Sequence, residues 1–209
     1  MSAAFALHPE PRRLLTGRRA LVTGATTGIG QGTAFELQPD LPPEGMAVED
    51  FYPRRFGSVE AMREAFERVT AEAARSGLEL RFDRMARAPN TRLAHRLVVL
   101  AGRHGRANDA VLPLFRGQFQ EGADVADLAQ AAAIVSSVVP ELDADDLCAA
   151  VDEGEGDAEV AAEEGLAARM GITGVPFFLA ARSVALSGAH EADTFRELIA
   201  AGRQAAGAA

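Results

Sequence analysis

The chain has 209 residues, 48% of them hydrophobic, which fits a globular protein and excludes a largely disordered one. Its formal net charge is −9, and all 21 basic residues are arginine without a basic stripe, so we expect no nucleic acid and no membrane as a partner. The absence of lysine also excludes every mechanism that needs a catalytic lysine.

The first residues do not resemble a targeting segment. Residues 1–16 contain scattered arginines and two prolines but no apolar stretch typical of a signal peptide. No run in the sequence approaches the ~20 apolar residues of a membrane span. The single cysteine cannot form an internal disulfide. We therefore expect a cytoplasmic location, with residues 1–18 as a poorly ordered leader.

A glycine-rich segment follows a short apolar strand predicted at residues 19–23. Residues 23–30 read TGATTGIG and fit the pattern TGxxxGxG, so that residues 19–32 resemble the N-terminus of a short-chain dehydrogenase. The resemblance implies a weak cofactor site in which Gly24, Gly28 and Gly30 let backbone N–H groups approach the pyrophosphate of NAD(P). The alternative interpretation is an ordinary turn.

The dehydrogenase interpretation lacks its chemistry. That family's Tyr-x-x-x-Lys dyad cannot be formed, because the chain has no lysine and its only tyrosine is Tyr52. A helix N-terminus alone contributes ~0.3–1 kcal/mol to anion binding, whereas a millimolar dissociation constant requires ~4 kcal/mol. We therefore expect no cofactor, with NAD(P) only under this alternative.

The middle of the chain is predicted to be helical. Residues 33–38 are a short strand or the tail of a helix, and residues 39–45 are irregular because three prolines fix φ and remove donors. Apolar residues then recur at helical spacing after Ser58, a plausible N-cap, until Gly77 ends the helix. A short extended piece is predicted at 78–82, and a second helix starts near Asn90. Four further helices are predicted at 106–122, 124–138, 143–152 and 157–170.

The end of the chain changes character. Residues 175–180 and 183–186 are strand candidates, and 191–202 is an amphipathic helix. Strand pieces, a helical block, two strands and a helix therefore follow one another. This order predicts a small α/β sheet with an all-helical insertion.

Four segments, read in order, carry a wider resemblance. The segments are FELQPDLPPEG (35–45), FDRMARAPNTRLAHRL (82–97), MGITGVPFFL (170–179) and ALSGAH (185–190). With them, the chain from Phe35 to about residue 205 resembles the FrnE-like branch of the DsbA-like thioredoxin family. The resemblance implies redox or isomerase chemistry on thiols, glutathione adducts or polyketide-like molecules.

The resemblance implies a fold and a division into domains. The fold is an α/β, thioredoxin-like (DsbA-like) core, truncated at its N-terminus, with an all-helical insertion. Residues 35–57 and 171–209 would form the core and residues 58–170 the helical insertion domain. Residues 1–34 would be a foreign, dehydrogenase-like segment.

The family's reactive group is missing. Its first strand, CxxC and first helix have no counterpart that we recognise in the sequence, and the only cysteine is Cys148. Asp145 and Asp146 would disfavour a thiolate there, so we expect a buried structural cysteine. The serine variant of related glutathione-dependent isomerases is not supported either, because Ser2 is the only serine before Ser58. No catalytic residue is therefore assigned.

The resemblance points to a substrate-binding loop. It implies that Gly174, Val175 and Pro176 form this loop, with Pro176 cis and the backbone of Val175 pairing with an extended ligand. The alternative is a trans proline that opens an edge strand. Without the first strand and helix, Phe177 or Phe178 would be exposed and favour ligand capture or a homodimer.

Two residues of the next helix are expected to border the same cleft. Asn90 is first a helix cap and second a ligand contact. His95 lies off the main apolar stripe and either faces the cleft or makes a polar contact at the helix surface. The expected ligand is a small molecule or an extended peptide.

Three functions remain open from the sequence. The chain is a DsbA-like protein without dithiol activity that keeps a small-molecule or peptide cleft, a nucleotide-dependent oxidoreductase, or a hybrid from gene rearrangement without an evolved function. The missing Tyr-Lys dyad argues against the second.

Overall fold

The computed structural model describes residues 20–23, 31–181 and 184–207. These residues form a mixed, mostly helical α/β protein. The strands are β1 (Ala20–Thr23), β2 (Gln31–Thr33), β3 (Met46–Ala47), β4 (Arg87–Ala88), β5 (Phe177–Ala180) and β6 (Val184–Ser187). The helices are α1 (Val48–Phe56), α2 (Val59–Arg75), α3 (Arg92–Arg103), α4 (Ala107–Arg116), α5 (Leu128–Val138), α6 (Ala144–Asp152), α7 (Asp157–Arg169) and α8 (Ala192–Gly207).

The chain divides into two compact units. The sheet unit contains the described residues up to Phe35 and those from Ala161 onward. The helical unit is Glu36–Val160. Helix α7 begins in the helical unit and continues into the sheet unit. Among the residues described, no helix is long and apolar enough to cross a membrane.

The sheet unit holds a four-stranded sheet in the order β2-β1-β5-β6. Strand β1 runs parallel to β2 and antiparallel to β5, with Val22 opposite Phe178. The strand predicted at 19–23 is therefore present and is paired on both sides. For 33–38 both alternatives, a strand or the tail of a helix, were wrong beyond Thr33, because β2 ends there and residues 34–38 are irregular. Residues 24–30, with Gly24, Gly28 and Gly30, lie outside the described part.

Helix α8 covers part of this sheet through an aromatic contact. The rings of Phe178 and Phe195 meet edge to face, with centroids 4.7 Å apart. Both Phe177 and Phe178 are half-buried. The expectation that one of them is exposed was therefore wrong, because the sheet and α8 already provide packing partners.

The helical unit has a continuous apolar core. Leu97, Val135, Val139 and Leu147 are buried there with at most 2% of their surface accessible. Burying one such side chain contributes roughly 1.5–3 kcal/mol relative to leaving it exposed. The stripe predicted on the helix after Asn90 supplies part of this core, because α3 buries the side chains of Leu97, Leu100 and Ala101.

Local signals set several helix ends as predicted. The Ser58 hydroxyl accepts a hydrogen bond from the backbone N–H of Ala61 at 3.0 Å, which caps α2. Gly77 follows the end of α2 with φ +75°. The carboxylates of Asp127 and Asp143 also cap α5 and α6, although the helix that is α5 was predicted to begin at Asp124.

Three features of the helical unit were not predicted. Helix α1 is short and contains Pro53, which removes one backbone donor and hides the helical pattern. A π-helical turn at Gly117–Glu121 follows α4 and buries Gln118. Strands β3 and β4 pair as a short antiparallel ladder, whereas the extended piece expected at 78–82 forms no strand.

We predict that Gly45 is required for the β3–β4 ladder. Gly45 has φ +72°, and an added Cβ would lie 2.5 Å from the carbonyl oxygen of Ala88. Gly77 has nearly the same φ, +75°, but an added Cβ would meet nothing within 4 Å. Gly77→Ala should cost about 1–2 kcal/mol in free energy of unfolding for the left-handed backbone, and Gly45→Ala about 1–3 kcal/mol more for the steric overlap.

Urea unfolding of the two variants measures this difference. The Gly77→Ala variant controls for the backbone conformation, so the difference between the variants isolates the overlap with Ala88. Equal unfolding midpoints would contradict the prediction.

Candidate functional site

The predicted binding loop lies between α7 and β5 in the sheet unit. The Val175–Pro176 peptide bond is cis. The carbonyl oxygen of Pro176 accepts a hydrogen bond from the backbone N–H of Gly188 at 2.8 Å. This bond joins the loop to the end of β6.

Backbone groups in this loop are available for a ligand. Within the described part of the chain, the backbone of Val175 has no hydrogen-bond partner. A Cβ added at Gly174 would meet nothing within 4 Å, so the space beside Gly174 is open. Val175 and Pro176 are half-buried. An extended chain lying beside Gly174 could therefore pair with the N–H and C=O groups of Val175.

Glu163 of α7 is hydrogen-bonded to the residue that follows β2. Its carboxylate accepts a hydrogen bond from the backbone N–H of Ala34, directly after β2. Burial raises the pKa of Glu163, and the bond from Ala34 opposes part of that rise. Glu163 was not predicted from the sequence. The available signal was its position on α7, between Val160 and Ala167 on one apolar stripe.

The side chain of Asn90 joins the loop around Leu41 to the start of α3. Its amide nitrogen donates to the carbonyl oxygen of Leu41 at 2.8 Å, and its amide oxygen accepts from the backbone N–H of Arg92 at 2.9 Å. The formal N-cap of α3 is Thr91, so Asn90 acts one residue earlier than a standard cap. Asn90 is 7% exposed, and this position holds the loop that follows Glu36 against the start of α3.

His95 lies on α3 and is half-buried. Its backbone N–H donates to the carbonyl oxygen of Thr91 at 3.0 Å, within the first turn of the helix. Asn90 and His95 belong to the helical unit, whereas Gly174, Val175 and Pro176 belong to the sheet unit. The cleft shared by these five residues stays a prediction.

A charged cluster beside Asn90 was also missed. The guanidinium of Arg92 contacts Glu36 at 3.1 Å and Asp157 at 2.8 Å. The side chain of Glu36 is only 3% exposed, whereas that of Asp157 is 48% exposed. The hydrogen bond from Arg92 lowers the pKa of Asp157. The sequence signal was an arginine in the first turn of α3, where the helix dipole disfavours a cation.

Cys148 is half-buried on α6 and packs against the core of the helical unit. Burial raises the pKa of its thiol, and Asp145, Asp152 and Asp127 raise it further. A raised pKa lowers the thiolate fraction, and the thiolate is the nucleophile in disulfide exchange. This environment is that of a packing residue.

Metal binding has no support in the described ranges, where no group of three or more His, Cys, Asp or Glu side chains is arranged to hold an ion. The glycines of the NAD(P) alternative lie outside these ranges. The cofactor expectation therefore stays a prediction.

Comparisons with known proteins identify relatives of this fold. The DSBA-like thioredoxin domain family matches residues 31–200. The structure is similar to that of a probable DsbA oxidoreductase from Streptomyces coelicolor, with 26% identity, a TM-score of 0.75, and coverage of 91% of this chain and 90% of that one. A candidate protein disulfide isomerase from Nitrosomonas europaea shares the fold at 14% identity and a TM-score of 0.55, over 70% of this chain and 75% of that one. No curated protein matches the sequence.

We predict that Arg92 stabilises the helical unit mainly through Glu36. Arg92→Met removes the cation that lies 3.1 Å from the buried carboxylate of Glu36 and should cost about 3–5 kcal/mol in free energy of unfolding. Arg103→Met is the matched control on the same helix, because Arg103 pairs with Glu155 and Glu159, which are 44% and 46% exposed. The control should cost at most about 1 kcal/mol.

A double-mutant cycle in urea tests the assignment to Glu36. Adding Glu36→Gln to Arg92→Met removes the carboxylate charge that Arg92 faces and should restore part of the lost stability. Equal losses for Arg92→Met and Arg103→Met, or no recovery in the double variant, would contradict the assignment.

We predict that Glu163 makes the stability depend on pH. Its pKa is raised in the folded state above the ordinary value of 4.5, so its contribution is complete below that value and is lost as pH rises through the folded pKa. Glu163→Gln retains an acceptor for Ala34 but cannot ionise. The stability of the wild type relative to Glu163→Gln should therefore fall as the pH rises above 4.5 and through the raised pKa of Glu163.

Urea midpoints at a series of pH values measure this trend. Glu197→Gln, at an exposed position of α8, is the control and should show no such trend. A difference between wild type and Glu163→Gln that does not change with pH would exclude the role of Glu163.

Proposed function

The chain belongs to the DSBA-like thioredoxin domain family, and we propose that it is a FrnE-like member that binds an extended peptide or a small molecule without catalysing dithiol exchange. The observation that carries this proposal is the single cysteine and its position. Cys148 packs against the core of the helical unit with a raised pKa, and the chain has no second thiol.

The stoichiometry of disulfide exchange supports the absence of dithiol activity. A dithiol donor gives two electrons to a substrate disulfide by forming a mixed disulfide, which its second thiol then resolves. One thiol can reach only the mixed disulfide, and release then needs an external thiol. Cys148 is also a poor attacking group, because its thiolate is disfavoured.

The connection between β1 and β2 also supports the absence of dithiol exchange. The strands are parallel, and only residues 24–30 separate them. Parallel connections usually take a dozen or more residues and contain a helix. In the family, the CxxC precedes the first helix. Residues 24–30 contain no cysteine.

The binding part of the proposal rests on the loop Gly174–Pro176. The open space at Gly174 and the backbone of Val175, which is unpaired among the described residues, fit strand addition by an extended ligand. Backbone pairing does not require a reactive side chain. A member of this family can therefore lose its thiols and still bind.

We predict that the protein does not accelerate insulin reduction by dithiothreitol and that it captures the released B chain. Chromatography of the free A chain measures reduction, and turbidity measures aggregation of the B chain. The rate of A-chain release should equal that with buffer, and should be the same for Cys148→Ser. The onset of turbidity should be delayed in proportion to protein concentration.

A matched pair of variants assigns the delay to the loop. Gly174→Tyr fills the open space and should abolish most of the delay. Ala200→Tyr adds the same side chain at an exposed position of α8 and should retain it. Release of the A chain clearly faster than in buffer would reject the first part of the proposal. An unchanged delay in Gly174→Tyr, or no delay in the wild type, would reject the second.

A further inference from the structure

Within the described part of the chain, one hydrogen bond holds the loop Gly174–Pro176 to the sheet. The carbonyl oxygen of Pro176 accepts from the backbone N–H of Gly188 at 2.8 Å, whereas Gly174 and Val175 form no hydrogen bond with any described residue. The position of this loop therefore depends on how firmly Gly188 keeps its N–H directed at Pro176.

The pair of Pro176 and Gly188 is weaker than an ordinary pair of the ladder. Strands β5 and β6 are antiparallel with Phe177 opposite Ser187, so Pro176 lies opposite Gly188. In a hydrogen-bonded antiparallel pair, the two residues normally exchange two N–H···O bonds. Proline has no backbone N–H, so this pair can form only the bond from Gly188.

The donor of this bond is a flexible residue. Gly188 directly follows β6 and has φ +90°, in the left-handed region that glycine enters without steric cost. Its backbone can adopt many other conformations for the same reason. A second contact is needed to keep the N–H of Gly188 in one direction.

The side chain of His190 provides that contact. Its Nε2 atom lies 2.9 Å from the carbonyl oxygen of Ser187. A carbonyl can only accept, so Nε2 donates, as it can in the neutral Nε2–H tautomer and in the imidazolium form. A Cβ added at Gly188 would lie 3.8 Å from the same Nε2 atom. The imidazole therefore closes the turn 187–190 and lies beside Gly188.

We propose that His190 is a positioning residue for the loop Gly174–Pro176. Its hydrogen bond to Ser187 fixes the turn, the turn directs the N–H of Gly188, and this N–H holds the carbonyl of Pro176. The backbone of Val175 then stays in place for a ligand. The consequence for ligand binding rests on the proposed function, whereas the link from His190 to the loop does not.

The effect of His190 should be local. Its side chain is exposed, so its removal leaves no cavity in the sheet unit. Replacement by alanine should therefore loosen the turn and the loop while the urea midpoint of unfolding stays nearly unchanged. A glutamine at this position places its side-chain nitrogen as many bonds from Cα as Nε2 of histidine, so it can donate to Ser187 in the same way.

Amide hydrogen exchange, followed residue by residue by NMR, tests the link to the loop. In His190→Ala the amide of Gly188 should exchange about threefold to tenfold faster, the effect of one net hydrogen bond. The amide of Leu186, which lies opposite Phe178 in the same ladder, should exchange at the wild-type rate. His190→Gln should restore the protection of Gly188.

Fluorescence anisotropy with a labelled, carboxymethylated insulin B chain tests the effect on binding. His190→Ala should raise the dissociation constant about threefold to tenfold, and His190→Gln should return it close to the wild-type value. His104→Ala is the matched control, because His104 is an exposed histidine at the end of α3 in the helical unit. It should change neither the exchange of Gly188 nor the dissociation constant.

Three results would overturn the role of His190. They are unchanged exchange of Gly188 in His190→Ala, equally faster exchange of Gly188 and Leu186, and faster exchange of Gly188 that leaves the dissociation constant unchanged. A wild type that does not bind the B chain would instead reject the proposed function. The exchange of Gly188 would still decide whether His190 holds the loop.

Discussion

The guanidinium of Arg92 joins the two ends of the helical unit. Glu36 is the first residue of that unit, and Asp157 lies near its last residue, Val160. Arg92 itself is in the first turn of α3, so a single side chain connects the loop after β2, α3 and α7. Because Glu36 is almost completely buried, the cation of Arg92 beside it stabilises its charge. Asn90 adds a second tie, to Leu41, from the same end of α3.

Local sequence patterns predicted the parts of the fold that depend on neighbouring residues. The apolar spacing on α3 and the cap at Ser58 are examples, since both act within a few residues. The Arg92–Glu36 pair spans 56 residues, and the Glu163–Ala34 hydrogen bond spans 129. No periodicity encodes such pairings. The only sequence signal of these pairings is a residue that is unfavourable at its position: an arginine at the start of a helix, or an acidic residue on an apolar stripe.

Other differences came from features that conceal a regular pattern. Pro53 interrupts the helical signal of α1, although the ring contacts of Tyr52 stabilise the helix once it forms. The π-helical turn after α4 adds a residue to the helical repeat, so the spacing of apolar residues changes there. For the candidate site, the resemblance predicted the loop Gly174–Pro176. It could not supply Arg92 or Glu163, because those act on the scaffold and not on a ligand.

Because both ends of the helical unit meet at Arg92, the unit can vary in length and in its number of helices. A segment whose first and last residues are neighbours can be lengthened, shortened or replaced without moving the two points where it joins the rest of the chain. The entropy of closing such a segment grows only slowly with its length, by about 0.6 kcal/mol for each doubling. Variation among related proteins should therefore concentrate in the number and length of helices between Glu36 and Asp157. The contacts of Arg92 with these two residues limit change at the ends of the unit.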